Sequence, residues 1–73
     1  MDRKMLEEHL ALAENHVALG EQHIARQREI LAQLHRDGRD TAQAEQTLAA
    51  FKETQALHIA DRDRLRGKLQ SDV

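Results

Sequence analysis

Read in sevens from Glu7, the chain runs EEHLALA, ENHVALG, EQHIARQ and REILAQL. A seven-residue apolar period belongs to a helix that packs along its length against other helices. Leu10, Val17, Ile24 and Leu31 take the a positions, and Leu6, Ala13, Gly20, Gln27 and Leu34 the d positions. Met5, Leu12 and Leu19 fall at c. His9, His16 and His23 fall at g, where Ile30 continues the row. Around a helix the order is a, e, b, f, c, g, d, so c, g, d and a form one continuous apolar arc. The opposite arc holds Glu7, Glu8, Glu14, Asn15, Glu21 and Gln22 with the alanines at b. An arc this wide exceeds what one neighbouring helix covers. Helix 1 is therefore expected to touch at least two others.

The pattern breaks at His35-Arg36-Asp37-Gly38-Arg39-Asp40-Thr41. Gly38 suits the left-handed conformation that ends a helix, and His35 and Arg36 place positive charge on the last carbonyls. Asp40 is a good N-cap with Gln43 completing a capping box, and Thr41 competes with it. The expected architecture is a single helical-hairpin domain over residues 1–73, with helix 1 at about 2–37, a turn at 38–40 and helix 2 at about 41–68. Asp2 is the expected cap of helix 1, and Gly67 and Ser71 suggest fraying at the far end.

In helix 2, Ala44, Leu48, Phe51, Gln55, His58, Arg62, Leu65 and Leu69 follow alternating spacings of four and three, with Ala50, Thr54 and Leu57 widening the face. A turn centred near residue 39 pairs positions whose numbers sum to about 78. That register sets Leu34 near Ala44, Gln27 near Phe51, Gly20 near His58 and Ala13 near Leu65. Gly20 costs about 1 kcal/mol of helix propensity relative to Ala, so a packing reason for it is expected.

Composition narrows the options. The chain has 73 residues, no Cys, Pro, Trp or Tyr, and one aromatic residue, Phe51. Thiolate chemistry and disulfides are excluded. A core this small seldom supplies more than a few kcal/mol unaided, which leaves oligomerisation as the available support, apart from a metal. Thirteen acids and eleven bases give a net charge of −2, which favours neither a nucleic-acid surface nor an acidic tail. No apolar run approaches a membrane span, and MDRKMLEEHL has no secretory apolar stretch. The expected setting is cytoplasmic, with no membrane partner.

The histidines admit three readings. As interface residues, they place an apolar ring and a polar tip at the rim of a seam. As metal ligands, His9, His16 and His23 lie about 10.5 Å apart along one helix. Their neighbours at spacings of three and four are not ligands, so an ion needs residues from two chains. Only His58 and Asp61 have chelating spacing within a helix. As a pH switch, protonating all five histidines moves the net charge from −2 to +3. Histidines buried neutral between chains would cost the oligomer stability as pH falls, between about 6.5 and 5. His35 reads as a helix-end residue, and His58 as a core histidine with a hydrogen-bond partner.

Arg62, Arg64, Arg66 and Lys68 could contact a phosphate backbone. They equally complement the C-terminal end of a helix dipole, and Asp61, Asp63 and Asp72 dilute them. No aromatic residues interleave for base stacking. No Ser/His/Asp set, phosphate loop or zinc motif is present, so catalysis and a resident cofactor are not expected.

The segments EQHIARQREILAQLHRDGRDTAQAEQTLAAF and ALHIADRDRLR resemble a group of short, uncharacterised bacterial α-helical proteins. The resemblance spans most of the chain and implies a hairpin in a bacterial cytoplasm, with no activity attached. The expectation is an all-α antiparallel two-helix hairpin, coiled-coil-like, dimerising into a four-helix bundle. It would act in assembly or protein–protein interaction, with itself or with an amphipathic helix of another protein. Leu10, Val17, Ile24, Leu31, Leu48, Phe51 and Leu65 are expected to form the seam within the hairpin. Met5, Leu12 and Leu19, with the g histidines, are expected at the second contact, and Leu57, which widens the helix 2 face, is also expected at an interface.

Overall fold

A computed structural model describes residues 2–71 as two helices joined by one turn, with no strand among the described residues. Helix α1 spans Arg3–Arg36 and helix α2 spans Ala42–Ser71. They pack antiparallel into a rod of 55 × 14 × 13 Å.

Local chemistry sets the ends. Extended Asp2 caps α1 by accepting from the Lys4 amide. At the other end Gly38 takes φ +67. The Arg39 amide returns to the Leu34 carbonyl at 2.9 Å and the Gly38 amide to His35 at 3.2 Å. This is the Schellman pattern, which satisfies carbonyls that the helix end would orphan. At the start of α2, Thr41 wins the cap position, because its carbonyl accepts the first helical bond, from Glu45. Asp40 still helps by accepting from the Ala42 amide at 3.0 Å.

The Schellman reversal sends the chain back along the last turn of α1. Near the turn and in the middle of the rod, the register departs from the symmetric expectation. Gly20 faces Gln55, not His58, and Gln27 reaches Ala44, not Phe51. His16 meets His58 and His23 meets Phe51. Only toward the open end does the expected level survive, where Ala13 and Leu65 share one cluster. There Leu6, Ala13 and Leu65 are buried, with Leu10 and Leu69 packed on them. That packing accounts for the continuation of α2 through Gly67 to Ser71, where fraying was expected: Leu69 gains burial that offsets the glycine's cost.

The seam is built on the d row of α1 more than on the a row. Leu6, Ala13 and Gln27 are buried at d, whereas Val17 alone is buried at a, and Leu10, Ile24 and Leu31 are half-buried. On α2, Ala44, Gln55 and Leu65 are buried, while Leu48, Phe51, His58, Arg62 and Leu69 are half-buried. The eight α2 positions with alternating four and three spacing all turn inward to some degree. Ala50, Thr54 and Leu57, expected to widen that face, stand exposed.

Two of the buried residues are glutamines. Gln27 Nε2 donates to the Ala44 carbonyl at 3.1 Å, and Gln55 Nε2 donates to the Val17 carbonyl at 2.8 Å. Each ties its side chain to the backbone of the other helix. A Cβ on Gly20 would overlap the Gln55 amide, so this glycine is the recess that receives it.

Candidate docking groove

The two long sides of the hairpin differ in chemistry. One side carries the e positions of α1, where Glu14 meets Arg66 of α2 at 3.0 Å. The other carries the g positions and is a groove of about 320 Å³. His16, Leu19, Gly20 and His23 line it from α1, and Phe51, Thr54, Gln55 and His58 from α2. In an antiparallel helix pair the g rows lie together, so the heptad places these residues on a common side.

Leu19 lines this groove and Leu12 the smaller groove beside it, and with Met5 and Leu57 they stand exposed. Met5 is 50%, Leu12 55%, Leu19 43% and Leu57 72% exposed. In the heptad these four occupy the c positions of both helices. Toward the turn, the c positions of α1 become Arg26 and Gln33, so the apolar strip belongs to the open half and middle of the rod. Single exposed leucines are ordinary, but a strip of four beside an open apolar groove is the kind of patch that marks a contact surface.

The histidines divide. His9 and His23 are exposed, and His16 and His58 half-buried. The His16 and His58 rings face each other across the helices with centroids 5.1 Å apart and planes inclined at 44°. His23 leans on Phe51 at 5.8 Å. None of these four histidines makes a side-chain hydrogen bond among the described residues, so the partner expected for His58 is a ring instead. Three or more metal-ligating side chains do not gather anywhere among the described residues. Asp61, beside His9 and His16 in a smaller groove, is held by Arg64.

The heptad pattern places Gln55 on the seam row without a partner, and the symmetric register sets His16 and His58 at different levels. The available signal was Gly20: a glycine inside a strong helix implies a bulky group opposite. What it could not say was which group, because that depends on the turn.

The arginine cluster is occupied internally. Arg62 pairs with Asp63, Arg64 with Asp61 and Arg66 with Glu14. Among the described residues no helix is long and apolar enough to cross a membrane. Asp72, counted among the acids around this cluster, lies outside the described residues. No family model, curated protein or solved structure matches the chain.

Proposed function

We propose that the hairpin is a non-enzymatic self-association module whose groove face docks on a second copy, giving a four-helix bundle used for assembly. The observation that carries this reading is the uncovered strip Met5, Leu12, Leu19 and Leu57 beside the His16–Phe51 groove.

Area favours a partner of this size. The chain exposes 5461 Å². A compact protein of 8.4 kDa exposes about 4,600 Å², so the excess is roughly 850 Å². A standard interface takes about 800 Å² from each partner. Burial within the hairpin is correspondingly thin: among the described residues three large apolar side chains, Leu6, Val17 and Leu65, are buried, and no side chain is fully enclosed. A second copy supplies a strip of the same length and chemistry, which a twofold interface requires. An amphipathic helix of another protein is the alternative occupant. Nucleic-acid contact through Arg62, Arg64 and Arg66 is disfavoured by their carboxylate partners.

The test is the mass of the chain in solution. Sedimentation equilibrium should give about 17 kDa, two chains of 8.4 kDa. Leu19→Glu should reduce it to one chain while helicity persists, because the substituted residue is already exposed within the hairpin. A wild-type chain that stays monomeric at high micromolar concentration, or a Leu19→Glu variant that still dimerises, overturns the reading.

A further inference from the structure

The His16–His58 pair has the dimensions of half a metal site. Two imidazoles on one tetrahedral zinc, with Zn–N near 2.05 Å, place their ring centroids about 5.2 Å apart. The observed separation is 5.1 Å. The two rings come from different helices, line the same open groove, and make no side-chain hydrogen bond among the described residues. The pair is incomplete within one chain: the nearby carboxylate, Asp61, is engaged by Arg64, and no third ligand joins.

A second copy would complete it. His16 lies between the exposed Leu12 and Leu19 of α1, and His58 adjoins the exposed Leu57 of α2. A twofold axis that pairs these leucines with those of the second copy would bring two His16–His58 pairs together at the centre of the interface. We infer that these four imidazoles, two from each chain, bind one divalent transition-metal ion of the zinc class. The inference rests on the dimer reading above. It takes the histidine spacing out of the single helix, where residues seven apart cannot share an ion, and relocates the site across helices and chains.

The experiment uses the full chain stripped of metal, with zinc chloride as the probe. Sedimentation without zinc reports self-association, and calorimetric titration reports the site. We expect one zinc per two chains and a dimer tightened about tenfold or more. His16→Ala and His58→Ala should each abolish the zinc effect, and His16→Gln should do the same if the alanine variant loses helicity. His9→Ala and His35→Ala should retain it. Cobalt(II) in place of zinc should show the visible absorption of a tetrahedral nitrogen set. A metal-free dimer indifferent to zinc, or one whose response survives His16→Ala, overturns the metal site and leaves the dimer reading standing. A chain monomeric at every zinc concentration overturns both, and zinc bound at one per chain overturns the shared site.

Discussion

The open end of the hairpin and its middle are held by different interactions. At the open end, Leu6, Ala13 and Leu65 make an apolar cluster with Leu10 and Leu69 around it. In the middle, the buried contacts are Gln55 on the Val17 carbonyl, Gln27 on the Ala44 carbonyl, and an amide seated in the recess of Gly20. Apolar burial is strong but undirected, so one leucine layer tolerates a neighbouring register. A glutamine that must reach one carbonyl and one glycine tolerates a single register. The open end therefore contributes stability, and the middle contributes alignment at small net gain, because a buried hydrogen bond adds only about 1 kcal/mol. The Gln55 Oε1 atom is buried with no hydrogen-bond partner among the described residues, which reduces that gain further.

The largest effect expected from this contrast is at Leu65. Leu65→Ala should cost about 2–4 kcal/mol in urea unfolding, since the residue is 3% exposed and its cluster is the main apolar core. If Leu65→Ala costs less than removing either buried glutamine, the division of labour is wrong.

A double-mutant cycle sharpens the middle. Gly20→Ala should be close to neutral in the wild-type chain: about 1 kcal/mol of helix propensity is gained while the Gln55 amide is displaced from its recess and loses the Val17 bond. In a Gln55→Ala background the same change should stabilise by about 1 kcal/mol, because nothing occupies the recess. The coupling, about 1 kcal/mol, measures the glycine–glutamine fit directly. Additive single effects would show that Gly20 serves no such purpose.

The smallest effect belongs to the charged side. Glu14→Gln removes the ion pair with Arg66, whose side chains are each 47% exposed. Thermal unfolding should shift by less than about 0.5 kcal/mol, and less again in high salt. A larger loss would mean that this side, and not the groove side, governs how the hairpin holds together.

Much of this molecule is legible in local chemistry. The heptad from Glu7 to Leu34, the Gly38 stop and the Asp2 cap suffice for two long helices and one reversal, since each depends on residues within a turn or two of one another. The exposure of Met5, Leu12 and Leu19 also followed from the wheel, because their angle to the d row is a property of the helix alone. The inward placement of Gln27 and Gln55 was legible from their heptad positions, which set them apart from the exposed Gln22 and Gln33; the carbonyl that each one reaches was not.

Sequence by itself therefore determined the elements, their antiparallel connection and which residue types share a face. These follow from short-range geometry and hydrophobic periodicity. Tertiary structure alone decided the register: which residue of α2 stands across from each residue of α1. The observed register sets His58 against His16 in place of Gly20, and Gln55 in the glycine recess. The physical reason is that the turn sets the level at which the nearby layers of the two helices meet, while the Leu6–Ala13–Leu65 cluster sets it at the open end, and both depend on contacts between residues far apart in the chain.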